Sequence, residues 1–378
     1  MEPTRPYRVL VIGGYGFFGR RVVQRLSRHA GFDIVVAGRS ATPGEALVQS
    51  LRPTASAKLS HTVLDIHAPG LVDGLRHLGP DAVVHASGPF QGQGYGVARA
   101  CLAAGAHCID LADGREFVAG VGRLDAEARA AGLAVVSGAS SVPALSGAAA
   151  DHLASGLAQV DEIDIGISPG NRTERGLSTV QAILGYCGRP RPGAPGRHGW
   201  SGTRHHDYPP PVGRRLLSPC DVPDLVLLPE RFVGRPTVRF GAGLELRFLH
   251  RGMNLMAGLA RRGWVQDWSR HAALLKRAAD LFRLLGSDAG AMHVTVSGTT
   301  PQGQPRRRTW QLLATEGDGP FVPTLAAAAL LHRLQQAHAG GTRVAELEGA
   351  RPCLGLLGLG DFEQAATGLR IRMGEVAA

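Results

Sequence analysis

The first 150 residues repeat one pattern, in which an apolar run of about five residues is followed by a turn and then a helical stretch. The runs predict strands at Arg8–Ile12, Asp33–Ala37, Thr62–Asp65, Ala82–Ala86, His107–Leu111 and Leu133–Ser137. Several are continuous Val/Ile/Leu/Ala rather than alternating, the pattern of strands covered on both faces. Between them the spacing predicts helices at Phe17–Ala30, Ala41–Leu51, Leu71–Leu78, Gly94–Ala104 and Phe117–Ala131. Gly31, Gly105 and Gly132 follow three of these, where a helix C-cap calls for positive φ. Strand–helix alternation at this spacing gives a right-handed, doubly wound parallel sheet.

Beyond Ser137 the pattern changes. Gly138–Ser146 is a small-residue loop, and Asp161–Ile167 alternates like a strand with one wet face. Residues 188–215 are rich in Gly, Pro and Arg and predict a long loop or lid. Further strands are expected at Leu225–Leu228, Thr237–Phe240 and Leu244–Leu249, and helices at Met253–Arg261 and Trp268–Leu285. A hairpin of Ala291–Gly298 with Thr309–Thr315 and a helix over Pro320–His338 follow. The expected organisation is a cofactor domain over 1–150, an α+β substrate or dimerisation domain over 151–318, and a segment over 319–378 that returns to the first domain.

Composition narrows the function. With 44% hydrophobic and 19% charged residues the 378-residue chain is globular, and its length fits two domains. No run of about 18 apolar residues predicts a membrane-spanning helix. The N-terminus does not read as a signal peptide, and five scattered cysteines form no C-x-x-C pair, so a reducing cytoplasm is the expected setting and no metal site is expected. The net charge of +10 is no nucleic-acid footprint. All but two of the 41 basic residues are arginines, and they are dispersed, with Arg306–Arg308 the longest run. The arginine excess favours an anionic ligand.

The strongest motif lies where the first strand meets the first helix, Gly13-Gly14-Tyr15-Gly16-Phe17-Phe18-Gly19. Gly14-x-Gly16-x-x-Gly19 fits the dinucleotide fingerprint, in which glycines let the backbone approach a pyrophosphate at a helix N-terminus. About twenty residues on stands Asp33, but it opens its strand and belongs at the far end of the sheet. The ligand end of that strand carries Arg39 and Ser40 in place of a ribose-binding carboxylate, which favours NADP(H) over NAD(H); a solvated Arg39 is the plainer alternative. Asp65 meets an adenine edge or caps the next element. Ser87-Gly88-Pro89-Phe90 follows the fourth strand across the switch point, on the way to the nicotinamide.

For the substrate side, none of the five tyrosines has a lysine four residues on, so the Tyr-x-x-x-Lys pair of short-chain dehydrogenases is absent. No H-E-x-x-H, Walker-type or G-x-S-x-G motif is present. Topology then offers Asp110, Asp113 and Arg115 after the fifth strand, Ser140 and Ser141 after the sixth, and His85, which packing alone also explains. His205, His206 and Asp207 form either a proton relay in a lid or solvated loop polarity. Arg189, Arg191, Arg197 and Arg204 are candidates to clamp a carboxylate.

Taken with Ala37-Gly38-Arg39, His85-Ala86-Ser87-Gly88-Pro89-Phe90, Cys108–Asp113 and Ser137–Ser146, the glycine motif resembles the saccharopine dehydrogenase/reductase-like family over about 155 residues. More faintly, so does Gly317–Pro320 with the helix after it. The resemblance implies a Rossmann-type sheet with an inserted α+β domain, a cleft between them, and NAD(P)-linked hydride transfer at a C=N or CH–NH bond of a small molecule. The family's amino-acid-binding residues cannot be placed on the middle region, so no lysine-pathway activity is expected. A homodimer is an open expectation. Two other readings stand beside this one. The first is a non-catalytic NADP-sensing protein. The second is an enoyl (C=C) reductase of a lipid or polyketide, kept open by the apolar residues around Leu244–Leu259. That stretch also admits a membrane-surface contact, although its interspersed Arg and Glu favour buried packing.

Overall fold

The structure is a computed structural model that describes residues 5–191 and 197–376. The chain divides into two compact units. One runs through Leu145 and resumes at Pro323–Ala365; the other comprises Ser146–Val322 and the chain from Ala366 on.

The first unit is built on strands β1 (Tyr7–Ile12), β2 (Phe32–Gly38), β3 (Lys58–Val63), β4 (Ala82–His85), β5 (His107–Asp110) and β6 (Ala134–Ser137). All pair in parallel in the order β6-β5-β4-β1-β2-β3, and Gly349–Pro352 adds a parallel edge strand beside β6. Every residue of β2, β4 and β6 is buried, as the continuous apolar runs require. Helices α1 (Gly19–Leu26), α2 (Ala41–Leu51), α3 (Leu71–Leu78) and α4 (Gly96–Ala104) follow the first four strands. The chain order reverses between β1 and β4, which defines the switch point where ligands bind such sheets. Leu325–Ala339, rich in alanine and leucine, is a helix with most of its length buried within this unit.

Local chemistry moves several boundaries. α1 begins at Gly19 rather than Phe17, because the two phenylalanines belong to the glycine turn. The expected single helix over Phe117–Ala131 is three pieces, Arg115–Ala119, Val121–Leu124 and Asp125–Ala130, with Gly120 at the first break and Gly122 inside the short middle piece.

The second unit holds a mixed sheet. Its strands are β7 (Gln159–Ser168), β8 (Arg204–Asp207), β9 (Arg214–Pro219), β10 (Thr237–Ala242), β11 (Gly290–Thr299) and β12 (Pro305–Ala314). Chain end Ile371–Val376 supplies the seventh strand, antiparallel to β12. The last residues therefore join the second unit, not the first. Arg308 holds them there through paired bonds to Glu375 of 2.7 and 2.6 Å. Ile163, Ile165, Val294, Val296 and Trp310 bury one face of the sheet, while Asp164, His293 and Thr295 lie on the other.

Three further expectations in this unit are corrected. Leu225–Leu228 is helical, inside Asp224–Arg231: a four-residue apolar run does not distinguish strand from helix, and Pro223 just ahead favours a helix start. Leu244–Leu249 is no strand, since a long helix starts at Arg247 and runs to Arg261. The 188–215 segment is not a lid-like loop throughout, because β8 and β9 pair as a hairpin; its residues 192–196 lie outside the described residues.

Candidate functional site

The glycine turn is held by backbone bonds to β2 and within itself. Gly13 and Gly14 both donate to the Ala37 carbonyl, at 2.9 and 3.1 Å, and Gly16 donates to Gly13 at 2.8 Å. Gly13 adopts φ +73°, and a Cβ there would stand 2.6 Å from Ser87 Oγ. A Cβ on Gly19 would collide with the Gly13 carbonyl. The motif therefore brings Ser87 of the β4 loop against the turn after β1. Among the described residues, the amides of Tyr15, Phe17, Phe18 and Gly19 donate to no backbone carbonyl, and they cluster at the start of α1. Unpaired amides at a helix start are the arrangement that suits an anion.

Arg21, buried in the first turn of α1, donates to the Phe17 carbonyl at 2.5 Å and lies 4.2 Å over the Phe17 ring. These contacts tie the first turn of α1 back to Phe17 of the glycine turn, and nothing in the sequence two residues past the motif marked Arg21 for them.

Arg39 and Ser40 follow β2 at the same sheet end, both exposed. Tyr15 reaches them from the glycine turn, its hydroxyl accepting the Ser40 amide at 3.0 Å. Asp33 lies at the opposite end, where its carboxylate accepts from Arg8 Nε at 3.0 Å. Asp65 is exposed two residues beyond β3, and its carboxylate accepts the His67 amide at 3.0 Å, closing a turn.

The loops after β4 and β5 are tied together. Gln93 donates to the Ser87 and Pro89 carbonyls at 3.0 and 2.6 Å, and its side-chain oxygen meets His85 Nε2 at 3.3 Å. Gln91 reaches Asp113 at 3.3 Å. Phe90 is buried against the rings of His85 and Phe117, while Gly88 and Pro89 face outward. Burial holds the His85 imidazole down near 4, the behaviour of a packed, neutral ring. Asp113 is also shifted up by burial. Arg115 lies 3.7 Å from Glu116. Asp110 is occupied structurally: it accepts from Ala112, Ser137 and Gly138 at 2.8–3.0 Å, and burial raises it to about 6.

The other two candidates lie in the second unit. His205 is exposed on β8. His206 stacks on His293 with ring centres 3.5 Å apart and planes within 1°. Tyr208 shares a hydrogen bond of 2.8 Å with His293 Nδ1, Asp164 lies 3.7 Å from Nε2, and Arg204 donates to Asp164 at 2.5 Å. Burial, then the neighbouring ring, lowers His206 to about 4. Of the proposed carboxylate clamp, Arg204 and Arg189 are already paired, with Asp164 and Asp267. Asp164 and His293 escaped the sequence reading, although a polar residue on the alternate face of an apolar strand was their visible sign.

The fold and the cradle define a dinucleotide-binding domain of the doubly wound class. Residues 9–136 match the family model for the saccharopine dehydrogenase NADP binding domain, a match confined to the first unit. A human saccharopine dehydrogenase-like oxidoreductase is 28% identical over 126 residues, 30% of this chain and 29% of the relative; the cattle protein is 29% identical over 129 residues. The matched stretch thus spans under a third of these relatives. In fold, the likeness covers nearly the whole chain. Saccharopine dehydrogenase (L-Glu forming) from Saccharomyces cerevisiae superposes with TM-score 0.61 at 12% identity, over 98% of this chain and 100% of that one. Homospermidine synthase from Legionella pneumophila gives 0.61 at 11%, over 98% and 91%. Among the described residues no helix is long and apolar enough to cross a membrane, and no cluster of His, Cys, Asp or Glu is placed to hold a metal ion.

Proposed function

We propose that this protein is an NADP(H)-dependent oxidoreductase acting at a C=N or CH–NH bond of a small, anionic molecule. The observation that carries the cofactor reading is the pairing of an open amide cradle with Arg39, at a strand end where no carboxylate stands. The Legionella structure was solved with NAD, so the fold by itself does not choose between the two cofactors. Arg39 and Ser40 make the choice here, the guanidinium pairing with a 2′-phosphate. Asp65 borders the adenine side, and Ser87 to Phe90 the nicotinamide ribose. When bound, NADP(H) supplies or accepts the hydride. Asp113 and Arg115 are substrate-side groups on the β5 loop. His205 and His206 are candidates in the second unit, where His206 is held neutral by burial.

The C–N substrate class rests on the family likeness and on two whole-chain fold relatives named for saccharopine and homospermidine. A steady-state assay of NADPH and NADH oxidation against a panel of imines and keto-acid/amine pairs tests the reading. NADPH-selective turnover of a C=N substrate is expected. Binding of NADPH without turnover of any C=N substrate would refute the catalytic half, and an NADH preference the Arg39 half.

A further inference from the structure

One surface of the second unit is both apolar and strongly positive. Leu281 and Leu284 are 83% and 81% exposed and Trp264 75%, with Phe248, Leu255 and Leu274 also outward. Two contacts join the helix Arg247–Arg261 to the segment after it: Phe248 and Phe282 meet edge to face at 5.1 Å, and Trp268 Nε1 donates to the Met256 carbonyl at 2.9 Å. Residues 247–285 carry eight Arg and Lys against two Asp, +6 of the chain's +10. Every arginine in the stretch is exposed, and none forms an ion pair among the described residues. The two acids are engaged elsewhere, Asp267 with Arg189 and Asp280 with Lys276 and Arg175.

We propose that this face docks on an anionic lipid bilayer, with Trp264, Leu281 and Leu284 entering the headgroup boundary and the surrounding arginines meeting lipid phosphates. Exposed large apolar side chains in contiguity mark an interaction surface. Their interleaving with unpaired guanidiniums selects a partner that is apolar beneath and negative on top, which is the profile of an anionic membrane interface. A second copy of this chain is disfavoured, because a two-fold contact would set like charges against each other. Among the described residues no helix is long and apolar enough to span a bilayer, and the proposed attachment is to the membrane surface.

The test is flotation of the full-length protein with two kinds of vesicle, pure phosphatidylcholine and phosphatidylcholine with about 30% phosphatidylglycerol. Flotation with the anionic vesicles alone is expected, lost at about 0.5 M salt where screening shortens to a few ångström. Tryptophan fluorescence should shift to the blue on binding, and the shift should vanish in Trp264→Phe. Arg261→Gln with Arg262→Gln should lower partitioning on the order of 30-fold, and Leu281→Ser with Leu284→Ser at least about 10-fold. Unchanged thermal melts establish that both doubles remain folded. Absence of flotation at low salt overturns the proposal, as does flotation that ignores both double variants. So does a concentration-dependent dimer that buries Trp264 in place of vesicle binding.

Discussion

The hydroxyl of Tyr15 accepts the backbone N–H of Ser40 at 3.0 Å, which couples the glycine turn after β1 to the end of β2. The same ring packs across Gly38, filling the space a side chain there would need. One residue of the glycine turn thereby sets the position of the segment proposed to choose the cofactor. Tyr15→Phe keeps the packing and deletes the bond. An ordinary hydrogen bond contributes about 1 kcal/mol, so NADPH affinity should fall roughly 5-fold with NADH affinity unchanged. Isothermal titration with both nucleotides reads the difference, and an equal loss for both would show that Tyr15 only supports the turn.

Arg39 should carry most of the discrimination. Hydrogen bonds to charged groups are worth about 1.5–3 kcal/mol, so Arg39→Ala should weaken NADPH binding by roughly 10- to 100-fold and leave NADH alone. Arg39→Asp should go further and favour NADH, because a carboxylate repels the 2′-phosphate and accepts from ribose hydroxyls. If the alanine variant keeps its NADPH-to-NADH ratio, the guanidinium is solvated and discrimination lies elsewhere.

The glycine turn was legible in the sequence because its constraint is local: strand, tight turn and helix leave a fixed spacing. The parallel sheet was legible for a similar reason, since burial on both faces demands uninterrupted apolar runs such as Val9–Ile12 and Val83–Val84. What failed was set by distant partners. Leu225–Leu228 reads as a strand until Asp224 finds Ser146, 78 residues away. The 188–215 segment reads as a loop, yet Arg204 reaches Asp164 and His206 stacks on His293, contacts that no local period encodes. The apolar residues near Leu255 invited a buried reading, and their exposure was visible only once the helix Arg247–Arg261 had shown which of its sides packs.

Gly19 offers a test of the cradle that does not depend on charge. Its Cβ would strike the Gly13 carbonyl, which is itself fixed by accepting from Gly16. Because the obstacle is backbone, Gly19→Ala should cost about 1–3 kcal/mol and abolish measurable binding of both nucleotides. Gly122→Ala, where no atom lies within 4 Å, is the control and should melt close to wild type. Intact binding in Gly19→Ala would place the pyrophosphate elsewhere.

The stability of the chain should depend on pH through Asp224. This fully buried carboxyl accepts from Ser146, and burial raises it from 3.8 to about 7. Between those values the folded chain holds the proton and the unfolded chain does not, so stability rises as pH falls through 7 and keeps rising toward 3.8. Asp110, raised to about 6, acts with the same sign. The imidazoles of His85, His206, His250 and His332, lowered by full or partial burial from 6.5 to about 4, act oppositely: the unfolded chain takes up their protons first, and stability is lost as pH falls from 6.5 toward 4. Subtracting a variant from the wild type separates the two. Asp224→Asn keeps the oxygen that Ser146 bonds and cannot ionise, so it should lose the wild type's gain on going from about pH 8 to 6, on the order of 1–2 kcal/mol. Chemical denaturation of both proteins across that range measures it, and parallel pH slopes would mean that the Asp224 carboxyl titrates near its ordinary value in the folded chain.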